Sequence, residues 1–190
     1  QESSDEDVTK YFKTYFPDVL PVMPNYLGDF RQNPSCQLVQ TRCSPWNYSD
    51  KILLMGDAAH AIVPFYGQGM NSGFEDCFLL NEWINENKNL FDLEINSFLE
   101  KRRIDTMAMQ DLSMNNFIEM RDKTADSNFL LQKKIEQWFS INNPKKWTPL
   151  YSMVTFSDIP YTEALKRGIV QDRIMKEIMI KNKLTGEFNV

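Results

Sequence analysis

Residues 52–77 read ILLMGDAAHAIVPFYGQGMNSGFEDC. Four apolar residues lead without a polar break into Gly56-Asp57, and Gly67, Gly69 and Gly73 then lead into a helical pattern. A continuous apolar run is the mark of a strand covered on both faces, as in an α/β layer. "KILLMG" is therefore expected to be such a strand. An acid directly after it lies at the strand's carboxyl end, where open α/β sheets hold their ligands. Ionised, Asp57 accepts hydrogen bonds from hydroxyl donors such as those of a sugar alcohol, and Ala58 and Ala59 leave room for a ligand to lie close.

The segment GQGMNSG places small residues at a helix entry, where the backbone can approach a ligand and unpaired amides stabilise negative charge. Pro64, Phe65 and Tyr66 add a stiff apolar wall that keeps water from whatever lies beside it. Each part also has a plainer reading: Gly-Asp after a strand serves as a turn with a capping acid, and glycines before a helix serve as its entry loop. His60, the single histidine, reads as structural, excludes His-pair metal sites within the chain and leaves hydrolytic triads unsupported. No metal site is expected.

Composition restricts the partners. Asp and Glu outnumber Lys and Arg by 26 to 21 in 190 residues, which argues against a nucleic-acid groove. A hydrophobic fraction of 42% is enough for a real core. Cys36, Cys43 and Cys77 form no CxxC pair and are expected to be free thiols, with Cys77 in the core. No apolar run approaches the about 18 residues of a membrane helix. The opening QESSDEDVTK lacks methionine and is expected to be a solvated acidic loop on a piece of a longer polypeptide.

Along the chain, EDVTKYFKTYF is expected as a short helix ended by Pro17, and CQLVQTR at 36–42 as a strand. After Gly73 the pattern turns helical, with Phe74, Cys77, Phe78 and Ile84 on one broad face. INSFLEKRRIDTMAMQDLSMNNFIEMRD is a long helix without internal Gly or Pro. NFLLQKKIEQWF, with Leu131, Ile135 and Trp138 in register, and a segment from about Tyr161 to Ile180, weakened at Gly168, complete the helices. Between these two, NNPKKWTPLYSMVTFSDIP reads as a structured loop.

Taken whole, GDAAHAIVPFYGQGMNSGFED resembles the flavin-contacting motif of the single-component FAD-dependent aromatic hydroxylases, with Asp, Pro, Gly-Gln-Gly and Asn in order. NFIEMRD at 116–122 and LYSMVTFSDIPYTEAL at 150–165 resemble the members of that family that hydroxylate L-kynurenine. The resemblance implies FAD as cofactor, NADPH as reductant and dioxygen as co-substrate, with oxygen delivered to the ring by a flavin C4a-hydroperoxide. It implies that Asp57 binds the ribityl chain and that Gly67 and the amides of Gly69, Met70 and Asn71 face the flavin. Pro64, Phe65 and Gln68 would flank the reacting edge. Asn116, Met120 and Tyr151 would line the substrate pocket, with Glu119 in support.

The implied fold is α/β, α+β within this chain: residues 1–45 end a substrate-domain region, 46–90 close a Rossmann-like FAD-binding domain, and 91–190 form a C-terminal helical region. No GxGxxG occurs, so the resemblance also implies a companion N-terminal segment carrying that loop, without which the chain is inactive. Family members in eukaryotes sit on the cytosolic face of the mitochondrial outer membrane through an apolar tail, which KNKLTGEFNV does not match. A related hydroxylase with another aromatic substrate, and a flavin-binding module without catalysis, remain open alternatives.

Overall fold

The computed structural model describes residues 3–49, 51–87 and 94–182. It divides into two compact units, one ending at Leu38 and the other beginning at Val39.

The first unit is a helical pair around aromatic side chains. Helix α1, Asp5–Tyr15, starts in a reciprocal cap: Ser4 Oγ accepts from Asp7 N, and the Asp7 carboxylate accepts from Ser4 N. The expected acidic loop thus already forms the first turn of α1. Phe12 meets Tyr26 and Phe30 of α2, Tyr26–Gln32, at centroid distances of 5.2 and 6.4 Å. Arg31 ties α2 back to Asp5 at 2.7 Å.

The second unit is built on one helix. Strands β1, Asn47–Tyr48, and β2, Ile52–Leu53, form an antiparallel hairpin, followed by the short helix α3, Asp57–His60, and by α4, Gly69–Asn87. Helix α5, Glu94–Asp122, runs for 29 residues, about 43 Å. Helices α6, Ser127–Asn142, α7, Leu150–Thr155, and α8, Tyr161–Lys181, complete the unit. Met109 and Leu112 of α5, Met153 and Val154 of α7, Tyr161 and Ala164 of α8, and Tyr66 form the larger core cluster. Trp46, Ala59, Ile95 and Leu99 form a second.

Several expectations need correction. Among the described residues the sheet has two strands, so KILLMG is not a doubly covered strand; only Ile52 and Leu53 pair, and Ile52 is exposed. A strand of that kind needs neighbours on both sides, and β1 is the neighbour the described residues supply. Residues 36–42 form no strand: Thr41 and Cys43 donate singly to the carbonyls of Ala61 and Ala59, while Leu38 and Val39 stay exposed.

Helix α4 begins at Gly69, before Gly73, and its apolar side faces out. Phe74 and Phe78 are 67% and 63% exposed, Cys77 is exposed, and the residues α4 buries are Ser72 and Asp76. Polar partners on α5, described below, turn the helix this way. In α6, Trp138 is exposed and Phe139, packed near Trp147, turns inward. The loop expected at 142–160 contains α7. All three cysteines are free. The last eight residues of the chain, within KNKLTGEFNV, lie outside the described residues.

Gly168, the expected weak point of α8, has a packing reason. A Cβ there would lie 2.7 Å from Leu150 Cδ2 of α7. Gly168→Ala is expected to cost about 1 kcal/mol, because displacing Leu150 outweighs the gain in helix propensity. In a Leu150→Ala background the same substitution is expected to become neutral or stabilising; urea unfolding of the four proteins checks this.

Candidate functional site

The site is organised by a charge cluster buried under the Gly56-Asp57 turn. Asp76 of α4 accepts from Gly56 N at 2.9 Å and bonds His60 Nε2 at 2.6 Å on one oxygen, and accepts from Arg102 Nε at 2.7 Å on the other. Arg102 of α5 also donates to the carbonyl and hydroxyl of Ser72 at 3.0 and 3.2 Å, and pairs with Glu75 at 2.8 Å. Asp76 and Arg102 are each at least nine-tenths buried. Burial pushes the Asp76 carboxyl up, but the bonds from His60, Arg102 and Gly56 outweigh it and hold the acid below its ordinary value. Burial likewise opposes the charge on Arg102, and Asp76, Glu75 and Asp105 more than restore it.

This cluster fixes two things at once. Gly56 stands at φ 57°, in the region that favours glycine, and its Cα lies against Gly73 so closely that a Cβ on Gly73 would come within 3.7 Å of it. Asp57 follows at the start of α3, exposed, its carboxylate engaged by no hydrogen bond among the described residues. On the α4 side, Arg102 holds Ser72, whose own amide donates to Gln68 O at 2.8 Å. The amides of Gly69, Met70 and Asn71 precede that first helical bond and stay outside the ladder. Gln68 is buried and accepts from Asn71 Nδ2 at 3.0 Å; Met70 points out, 70% exposed. Gly67, at φ 67°, and Gly69 face open space, where an added Cβ would meet nothing within 4 Å.

Between α3 and that turn, residues 61–65 run along α5. Gln110 donates to Ala61 O at 2.9 Å, Ser113 to Val63 O at 2.6 Å and Asn116 to Phe65 O at 2.7 Å. The Phe65 ring lies on Phe117 at 4.5 Å. Tyr66 is buried and stacks on Tyr151 of α7 at 5.5 Å. Burial, with the charges of Glu119 and Tyr151 adding to it, pushes the Tyr66 hydroxyl up to about 12. The structure thus gathers Phe65, Asn116, Glu119 and Tyr151 around one stretch of backbone. Met120 joins them through a long contact from Asn116 Nδ2 to its Sδ at 3.8 Å and is half exposed. Pro64 is exposed at the surface of the same segment.

Sequence reasoning missed Asp76, Arg102, Gln110 and Ser113. A signal existed for the last two: a glutamine and a serine three apart on the stripe that also carries Met109 and Leu112 need partners.

The residues present fit a flavin. A free carboxylate suits ribityl hydroxyls, unengaged amides suit an electron-rich ring edge, and the side-chain-free face at Gly67 and Gly69 admits a flat ring. Residues 23–87 match the family model described as "FAD binding domain", and the match covers the Gly56-Asp57 turn and the start of α4.

The relatives are narrower in kind. The chain is 49% identical to a kynurenine 3-monooxygenase of Flavobacterium johnsoniae over 96% of its own length and 41% of the relative's. It is 49% identical to that of Flavobacterium psychrophilum, covering 92% of this chain and 39% of the relative, and 42% identical to that of Caenorhabditis elegans, covering 93% and 39%. The chain is homologous to the kynurenine 3-monooxygenases along nearly all of its length and spans about two fifths of theirs.

Removing one partner from the buried cluster leaves the others uncompensated. Arg102→Met is expected to destabilise the protein by about 3–5 kcal/mol in urea unfolding at neutral pH. Because the folded state lowers the Asp76 pKa, its stabilisation is fully present above the ordinary carboxylate range and is lost as pH falls through the lower, folded value. Stability measured from about pH 7 to pH 3 should therefore fall less steeply in Asp76→Asn than in the parent.

Proposed function

We propose that this chain is the part of an NADPH- and FAD-dependent monooxygenase that closes the flavin site and lines the substrate pocket, and that the whole enzyme hydroxylates L-kynurenine to 3-hydroxykynurenine. The reading is carried by one observation: the free Asp57 carboxylate, the unengaged amides of Gly69–Asn71 and the Phe65–Tyr66 wall are all fixed by contacts to α5. The homology to kynurenine 3-monooxygenases supplies the substrate.

Bound flavin supplies the transfer of electrons from NADPH and the activation of dioxygen. The chain's residues do the rest. Asp57 accepts hydrogen bonds from the ribityl hydroxyls, and Gly67 leaves the approach to the ring open. The amides of Gly69, Met70 and Asn71, at the amino end of α4, would hold the electron-rich edge of the ring and stabilise negative charge there. Pro64 and Phe65 exclude water at the reacting edge, and Gln68, bonded to Asn71, holds the turn beside them. Asn116, Met120 and Tyr151 line the kynurenine pocket, with Glu119 near Tyr66 in support.

In domain terms, 1–45 ends a substrate-domain region, 46–90 closes a Rossmann-like FAD-binding domain and 91–190 is the helical region. A companion segment, making up the remaining length of the relatives, carries the ADP-binding loop. Two observations favour such a companion: the apolar face of α4 at Phe74 and Phe78, and the exposed edge residue Ile52. The enzyme acts at the cytosolic face of the mitochondrial outer membrane; among the described residues no helix is long and apolar enough to cross a membrane.

Asp57→Ala in the complete enzyme is expected to weaken FAD binding by about tenfold or more, one charge-assisted bond's worth, in a fluorescence titration. A variant that keeps stoichiometric flavin through dilution would refute the cofactor role. Among the described residues the Tyr151 hydroxyl has no hydrogen-bond partner, so it is available to a ligand. Tyr151→Phe is expected to raise the KM for L-kynurenine by about tenfold with the flavin spectrum unchanged. Unaltered KM would remove Tyr151 from the pocket. NADPH oxidation stimulated by another aromatic acid and not by kynurenine would favour a sister hydroxylase.

A further inference from the structure

The three bonds from α5 to residues 61–65 form a ladder. Gln110, Ser113 and Asn116 stand three apart on one helix, and the carbonyls of Ala61, Val63 and Phe65 stand two apart on the segment they hold. Residues 61–63 are irregular backbone, and Pro64 and Phe65 open a turn in which Gly67 N donates to Pro64 O at 3.1 Å. The segment is gripped by α5 at every second residue. Gln110, Ser113 and Val63 are buried, so the Val63 carbonyl has no ready substitute for Ser113, whereas the Ala61 carbonyl also accepts from Thr41 N at 3.2 Å. Pro64, between the last two rungs, has a fixed φ and no N–H of its own to give. With Phe65 lying on Phe117 and Tyr66 on Tyr151, the Pro64–Phe65 backbone shifts only if the last two rungs break.

We propose that Ser113 and Asn116 are positioning residues of the hydroxylation site. They act through the carbonyls of Val63 and Phe65 to hold the Pro64–Phe65 wall, so that reducing equivalents go into product and not into peroxide. The proposal rests on the flavin hydroxylase reading above and gives Asn116 a second task in the pocket it lines. Its amide gives one N–H to Phe65 O and keeps Oδ1 for the pocket, so the two tasks fall on different atoms of one side chain. When the wall loosens, water reaches the reacting edge and each turnover ends as NADPH + O2 + H+ → NADP+ + H2O2: two electrons and a proton leave NADPH and reduce dioxygen, and the aromatic ring is left untouched.

The test uses the flavin-loaded complete enzyme and compares Ser113→Ala and Asn116→Asp with the parent. Ser113→Ala deletes only the donor to Val63. Asn116→Asp keeps the shape but turns a donor toward Phe65 O into an acceptor. Expected in both are retained flavin and a fraction of NADPH yielding 3-hydroxykynurenine lowered at least about threefold, with hydrogen peroxide making up the difference; in Ser113→Ala, whose side chain is buried outside the pocket, the KM for L-kynurenine should stay within about threefold of the parent. Hydrogen exchange on the flavin-free protein gives a readout apart from activity: exchange should rise in peptides spanning 61–67 and stay unchanged across α4.

Unchanged coupling in both flavin-loaded variants would overturn the proposal. So would full coupling in Asn116→Asp with only the KM raised, which would leave Asn116 its pocket role and no part in holding the wall. Loss of flavin from Ser113→Ala would show that the rung supports the fold as a whole and would also overturn it. Failure of the underlying reading looks different: the parent enzyme itself would show no kynurenine-stimulated NADPH oxidation.

Discussion

The ion pair between Arg102 and Asp76 is the contact on which the second unit depends. A buried guanidinium and carboxylate are expensive to remove from water, and the cost is offset only where the remaining donors and acceptors are also satisfied. Here they are: Gly56 N and His60 take the other Asp76 oxygen, and Ser72, Glu75 and Asp105 take the rest of Arg102. Because the partners come from the turn before α3, from α4 and from α5, satisfying one side chain fixes three elements. Asp105 extends the same logic by accepting from the amide and hydroxyl of Thr162 at 2.8 and 2.9 Å, which caps a helix whose own N-cap, Pro160, has no side chain able to do so.

Helix α5 works as a ruler in this arrangement. From Arg102 to Asn116 it presents a polar row beside its apolar stripe; the stripe builds the core with α7 and α8, and the row holds backbone that would otherwise be irregular. Segments 56–73 contain a left-handed glycine, a proline and a second left-handed glycine, a sequence of conformations with little regular hydrogen bonding of its own. Such backbone can be ordered only by side chains from elsewhere. Binding groups on a loop that is held by a rigid helix combine open approach with fixed position.

This division explains what the sequence disclosed. The long helix was legible because its period persists for many turns without Gly or Pro, and the flavin-like motif because its small residues and its acid occur at conspicuous spacings. The apolar run at 52–55 misled because hydrophobicity reports that a segment seeks cover, and says nothing of whether the cover lies within the same chain. Phe74, Cys77 and Phe78 misled for a related reason: an apolar face ordinarily faces inward, whereas Arg102 draws the polar edge of α4 inward. Asp76 and Arg102 were hidden because each looks like an ordinary charge on a helix, and only the fold brings them together. Asn116 was legible through the resemblance, and its bond to the Phe65 carbonyl was not.

A structure of the complete protein with FAD bound tests the account most directly. It should place ribityl hydroxyls within hydrogen-bond distance of Asp57 and the ring edge against the amides of Gly69–Asn71, with the bonds of Arg102, Ser113 and Asn116 intact. A flavin bound elsewhere, or bound here with Asp57 turned away and the 61–65 segment lifted off α5, would contradict it.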